Sequence, residues 1–457
     1  MAKTMTYPDH VRAILGLGLP LIGGHLAQMA IGVTDTVMLG WYGVDALAAA
    51  TLGTTYFFVL FIFLSGFAWA VMPLVAAFDA EGDETSLRRA TRMGMWLSLG
   101  FGILALPAML WAAPVLRMMG QGDALAADAA AYLGIAGFGI LPALLVMVLK
   151  SYLSALERTK VVLCITLVAA VVNALGNYAF IFGNWGAPEL GLRGAAIASL
   201  STNTVSLIGL VIYVQIVLPQ HHLFQRLWRA DPAMLGRVFR LGVPIGLTSL
   251  SEVGLFAASA VMMGWLGTVP LAAHGIAVQL ASITFMVQLG LGNVATIRAG
   301  NALGRGDAGH MARGASVVTV LSVLSALATV VLFVSLPEPL ISLFMQRDEP
   351  QRDAILGVGV GLLAMAALFQ LVDGTQAVAL GLLRGMQDTR VPMVLAAFSY
   401  WVVGMPASYL LGFVLRLEGI GVWLGLVLGL GAASITLNMR FWSVALPRFG
   451  STATQVA

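Results

Sequence analysis

Charge is scarce in this 457-residue chain. Its 24 Lys and Arg and 21 Asp and Glu make up only 10% of the residues, against roughly 25% in soluble domains. With 59% hydrophobic residues and a mean hydropathy of +0.93, that scarcity excludes a soluble enzyme, a DNA-binding protein and a disordered scaffold. Cysteine is nearly absent. Cys164 stands alone, which excludes a disulfide framework and a multi-cysteine metal site. The sequence has neither a nucleotide-binding loop nor a DDxxD-like pair of carboxylates, so direct ATP drive and metal-dependent prenyl transfer are set aside, and no enzyme and no cofactor are expected. The opening MAKTMTYPDH is short and polar, with no small-residue cleavage site after it, and reads as no removable signal.

Long apolar runs fill the rest. Helices are predicted near 12–40, 45–78, 92–114, 124–149, 160–183 and 191–218. After a longer polar link come 235–264, 270–299, 313–336, 353–383, 391–415 and 419–446. Each is long enough for the roughly 20 residues of a membrane crossing, and too continuous for the strands of a membrane β-barrel. The expected fold is an all-α integral membrane protein of twelve transmembrane helices. Basic residues orient it: with the N-terminus inside, only Arg117, Arg193, Arg347, Arg352 and Arg416 of the 24 lie outside, while Lys3, Lys150 and the others lie inside. Both termini are expected in the cytoplasm.

The chain also repeats itself. Leu17-Gly-Leu-Pro20 matches Leu241-Gly-Val-Pro244 at an offset of 224, and without a gap Gly40, Trp41 and Gly43 fall on Gly264, Trp265 and Gly267. Gly66 then falls on Gly290, and Gly82-Asp83 on Gly306-Asp307. Six helices per repeat is even, so the two six-helix lobes are expected to be related by a pseudo-twofold axis along the membrane normal. The lobes are 1–218 and 235–457, with 219–234 as a cytoplasmic link. Two lobes about a central cavity suit a transporter, although duplicated bundles also build channels and membrane enzymes. A complete two-lobed carrier suggests a monomer.

Three acids lie well inside apolar spans: Asp35, Glu252 and Asp373. A central carboxylate costs about 2.5–3.5 kcal/mol on insertion scales, and no Lys or Arg is expected at comparable depth to offset it. Such a group stays protonated, holds a cation or faces water; the alternative is an inert acid bonded between helices. Asp35 lies about 8 Å below the outer end of its helix at 1.5 Å per residue. Asn173 and Asn177, four apart on one face of helix 5, reach a similar depth. Together they offer oxygen ligands for Na⁺ or an acid with hydrogen-bond partners; as plain helix glue they are equally accounted for. Glu252 and Asp373 sit nearer mid-span on helices 7 and 10. Pro20 and Pro244, at matching repeat positions inside helices 1 and 7, are candidate hinges or static kinks. His25 and His274 read as packing or interfacial residues. Among the 22 Met and 21 Phe, some are expected to line a cavity for flat substrates.

These residues resemble a known family. Val33-Thr-Asp-Thr-Val-Met-Leu-Gly40 resembles the opening signature of the multidrug and toxic compound extrusion (MATE) transporters, as do Pro270-Leu-Ala-Ala-His274, Ala295-Thr-Ile-Arg-Ala-Gly300 and Gly304-Arg-Gly-Asp307. Glu252 with Asp373 is similar to the NorM-type branch. The resemblance implies a multi-pass antiporter of the bacterial inner membrane, exporting cationic or aromatic drugs against inward Na⁺ or H⁺, with no nucleic-acid partner. By that resemblance Asp35, Asn173 and Asn177 are first-lobe cation-coupling positions, and metal ligands only if Na⁺ is the coupling ion. Glu252 and Asp373 match second-lobe acids for cation and substrate. Ser199 or Thr202 is implied as a hydroxyl ligand, and Gln279 and Gln288 as cavity-lining groups or ordinary interhelical contacts. The rival in the wider superfamily is a flippase for lipid-linked oligosaccharide or lipid, whose cavity would need basic residues to hold a pyrophosphate.

Overall fold

The computed structural model describes residues 5–346 and 349–456, without the side chains of 452–456; Lys3 and Arg347, counted above, lie outside the described residues. Among the described residues, twelve helices are long and apolar enough to cross a membrane, as the apolar runs predict. In chain order they are α1 Tyr7–Tyr42, α2 Val44–Glu81, α3 Glu84–Leu110, α4 Asp123–Ala155, α5 Thr159–Phe182 and α6 Leu192–Val217. After the link come α7 Pro232–Leu266, α8 Thr268–Arg305, α9 Ala308–Ser335, α10 Arg352–Gly385, α11 Arg390–Val414 and α12 Glu418–Ser451. No strand occurs among the described residues.

The helices outrun the apolar segments that predicted them. α2 and α8 each have 38 residues, about 57 Å at 1.5 Å per residue, well beyond a hydrocarbon core of about 30 Å. Their ends carry charge, which hydropathy discounts, but a backbone stays helical until something stops it. Here the stop is a glycine: Gly82 (φ 75°) and Gly306 (φ 68°) take the left-handed C-cap conformation, open to a residue without Cβ. The next residue then starts the following helix. Asp83 accepts from Ser86 N at 2.9 Å and Asp307 from His310 N at 2.8 Å. The Gly-Asp match at offset 224 is thus one helix-stop, helix-start device used twice. Short helices Ala112–Met118 and Pro337–Ser342 repeat the same pattern before α4 and α10.

The chain forms two compact units, one of residues 23–246 and one of 1–22 with 247–457. Both breaks fall inside continuous helices, in α1 two residues past Pro20 and in α7 two past Pro244, and they too differ by 224. In the first unit the start of α7 packs on α2: Phe67 stacks on Phe239 at 5.9 Å and on Phe101 at 4.9 Å. At Gly66 a Cβ would fall 2.4 Å from Gly242 O and 2.5 Å from Gly246 N, so only glycine lets these backbones meet. In the second unit the start of α1 packs on α8, where Gly290 faces Ile22 and the His10 ring lies 4.7 Å from His310. α8 and α10 are joined by Thr296 Oγ1, which donates to Gly381 O at 3.0 Å, and by Gln370 Nε2, which donates to Ala281 O at 2.8 Å.

The link is tied to its own unit. Arg92 donates to Leu223 O at 2.7 Å, Trp96 Nε1 to Leu227 O at 2.7 Å, and Arg89 pairs with Asp231.

Candidate functional site

In the unit of residues 23–246, α1, α5 and α6 bring the first predicted trio together. Asn173 Nδ2 donates to Asp35 Oδ1 at 3.0 Å and Asn177 Nδ2 to the same oxygen at 2.6 Å. Asn177 Nδ2 also lies 3.3 Å from Asn173 Oδ1. Both asparagines are fully buried, as their i, i+4 spacing on one face of α5 allows. Ser199 Oγ reaches Asp35 Oδ2 at 3.5 Å, whereas Thr202 turns its hydroxyl back to Ala198 O. Two amide donors and one hydroxyl thus converge on a single carboxyl group. Asn177 Oδ1 is buried without a hydrogen-bond partner, an acceptor left over for a cation or a proton-bearing group.

Asp35 and Asn173 line a cavity of about 240 Å³ whose wall includes Phe57, Tyr132, Ser199, Thr202 and Asn203. Lys150 lines it too, and its Nζ lies 3.4 Å from Gln28 Oε1. This corrects two expectations: Lys150 is not a loop residue, and the charges within the spans are not all acidic. The helix α4 runs on to Ala155, which carries Lys150 into the bundle. The signal was in the sequence, since the apolar pattern resumes after it at Tyr152 and Leu153, both fully buried. Tyr132 and Gln28 were likewise missed, being ordinary residues of apolar spans.

The second predicted pair lies in the other unit. Asp373 on α10 is buried, with Oδ1 lacking a hydrogen-bond partner, and Glu252 on α7 is half-buried. Both belong to the unit that contains 247–457, with Arg384 in the last turn of α10. Nearby, Gln376 donates to the hydroxyl of the fully buried Tyr400. Gln288 belongs to helix packing: Ser322 Oγ donates to its Oε1 at 2.7 Å and its Nε2 donates to Ser325 Oγ at 3.0 Å. Gln279 is half-buried on α8. His274 accepts from Trp423 Nε1 at 3.1 Å inside the core, a packing role, and His25 is half-buried on α1.

Twelve apolar spans, a twofold sequence repeat and carboxyls set within the spans define a membrane transporter, and comparison supplies the family. The MatE family model matches residues 20–179 and 244–410, two stretches that begin at the repeat-equivalent Pro20 and Pro244. The chain belongs to the MATE transporter family, and it is not an enzyme. It is 45% identical over 435 residues to "Probable multidrug resistance protein NorM" of Agrobacterium fabrum, covering 95% of this chain and 94% of that one. The identically named protein of Pseudomonas aeruginosa is 37% identical over 453 residues, covering 98% and 92%. Among solved structures, the eukaryotic MATE transporter AtDTX14 superposes with a TM-score of 0.85 at 16% identity, over 98% of this chain and 99% of that one. A MATE protein in the bent conformation gives 0.86 at 19% identity, over 99% and 100%.

Proposed function

We propose that the protein is a multidrug efflux antiporter of the bacterial inner membrane, with both termini cytoplasmic. It exports organic cations and aromatic drugs in exchange for inward Na⁺ or H⁺. The observation that carries the reading is the Asp35 site: a half-buried carboxyl on a helix long and apolar enough to cross a membrane, held by Asn173, Asn177 and Ser199, beside a spare buried oxygen on Asn177. If Na⁺ is the coupling ion, Asp35, Asn173 and Asn177 are its ligands after the amides turn their oxygens inward; amide orientation adapts readily to its partners. If H⁺ couples, the same turn lets a protonated Asp35 donate to an amide oxygen.

Transport follows from competition. Facing the cytoplasm, deprotonated acids attract a cationic drug; facing outward, the ion neutralises them and the drug leaves. Glu252 and Asp373 serve the second lobe in the same way. The lobes 1–218 and 235–457, joined by 219–234, alternate as a monomer, with α1 and α7 flexing near Pro20 and Pro244. Names of relatives such as that of Agrobacterium fabrum support drug export. The flippase alternative gains a cation in Lys150, but a pyrophosphate calls for several, and among the described residues Lys150 is the only Lys or Arg lining this cavity. Ethidium efflux from cells expressing Asp35→Asn, Glu252→Gln or Asp373→Asn should fall to background while membrane levels stay normal. Unimpaired efflux in all three refutes the proposal.

A further inference from the structure

The cavity around Asp35 has two charged ends. Gln28 and Asp35 are seven residues apart on α1, so they project from nearly the same face about 10 Å apart along the axis. Between them Gly32 has nothing within 4 Å of where its Cβ would be, which leaves the wall open where another residue would fill it. Asp35 marks one end of this trough. Lys150, 3.4 Å from Gln28 Oε1, marks the other. The ammonium has three donors, and a single long contact to an amide oxygen occupies at most one. A lysine near a helix end can extend its amine to the membrane surface; this one lines the cavity instead.

An unneutralised cation in such a place is costly and works against binding a purely cationic guest. It favours a guest with a negative group at that end. The aromatic rings of Phe57 and Tyr132 line the same space and suit a flat body.

We propose that Lys150 and Gln28 form an anion subsite opposite Asp35, so that this lobe selects zwitterions: aromatic molecules with a cationic group for Asp35 and a carboxylate, sulfonate or similar group for Lys150. The inference rests on the reading of this cavity as a drug site, and it narrows the substrate class. Because Gln28, which Lys150 contacts, lies about 10 Å along the helix axis from Asp35, the guest's two charges must be held apart by a ring or its equivalent.

The test uses a rhodamine that carries a free carboxylate and the same dye as its methyl ester, identical in ring system and differing in one charge. Fluorescence polarisation measures both affinities for the full-length purified protein in detergent. In the wild type the acid should bind at least as tightly as the ester. Lys150→Met should lower the acid-to-ester affinity ratio about tenfold, weakening the acid and tightening the ester, while Lys150→Arg keeps the ratio near that of the wild type. A loss of fold would weaken both dyes together and leave the ratio alone, so the ratio separates charge recognition from stability. Binding of the ester with a ratio unmoved by Lys150→Met overturns the anion subsite and leaves drug export standing. Binding of neither dye by the wild type overturns the drug reading and the subsite with it.

Discussion

Gly66→Ala is the substitution whose effect follows most directly from geometry. Its Cβ would sit 2.4 Å from Gly242 O and 2.5 Å from Gly246 N, and both are backbone atoms of α7 that cannot turn aside. One methyl forced into such a contact costs about 1–3 kcal/mol. The proposed alternation of lobes 1–218 and 235–457 would require the contact between α2 and the start of α7, which lies inside one compact unit, to open once per cycle. Gly66→Ala therefore shifts the balance toward the opened state by about 5–150-fold. The repeat-equivalent Gly290→Ala should do less, because its closest neighbour is Ile22 Cγ1 at 2.4 Å, a side-chain atom, while Ile22 N is 3.2 Å away. The assay is maleimide labelling of Val238→Cys, a fully buried position on that segment, in a Cys164→Ala background. Labelling should accelerate with Gly66→Ala, and by a smaller factor with Gly290→Ala. An equal labelling rate with and without Gly66→Ala would refute the idea that this contact opens.

Other outcomes follow from the capping and packing residues. Replacing either N-cap, Asp83→Ala or Asp307→Ala, should destabilise by about 0.5–2 kcal/mol, read as a lower Tm in detergent. The Ser86 hydroxyl and backbone N–H hold the Asp83 carboxyl below its usual range, and Arg89 does the same for Asp231. A depressed carboxyl stabilises above its unfolded pKa of about 3.9, and the contribution is lost as pH falls through the lower folded value. Tm should therefore drop on acidification below about pH 4, and by less in Asp83→Ala. His274→Ala strands Trp423 Nε1 in the core and should cost about 1–3 kcal/mol, while the pH profile of efflux keeps its shape. A shifted profile would make His274 a proton carrier instead.

Much of this architecture was legible because a bilayer imposes simple rules. Twelve apolar runs could only be helices, since each must satisfy its own backbone hydrogen bonds. The depth of Asp35, Asn173 and Asn177 could be counted from helix ends, and the three do meet. Lys150 escaped because a charge next to the end of an apolar run reads as a loop, while a helix continues past it as long as buried residues such as Tyr152 follow. The packing of 1–22 with 247–457, and of 232–246 with the other unit, could not be read from the apolar pattern. Periodicity reports that a helix face is apolar, not which neighbour covers it. Its one sequence mark, Gly66 and Gly290 at the repeat offset, acquires meaning only when the facing backbones are known.

The central claim is that ion binding at Asp35 drives export. It is tested by ethidium efflux from proteoliposomes with Na⁺ and pH gradients imposed one at a time, for the wild type and Asp35→Asn. One of the two gradients should drive transport in the wild type, and neither should in Asp35→Asn, although that variant still inserts and folds. Gradient-driven efflux by Asp35→Asn at the wild-type rate would contradict the account.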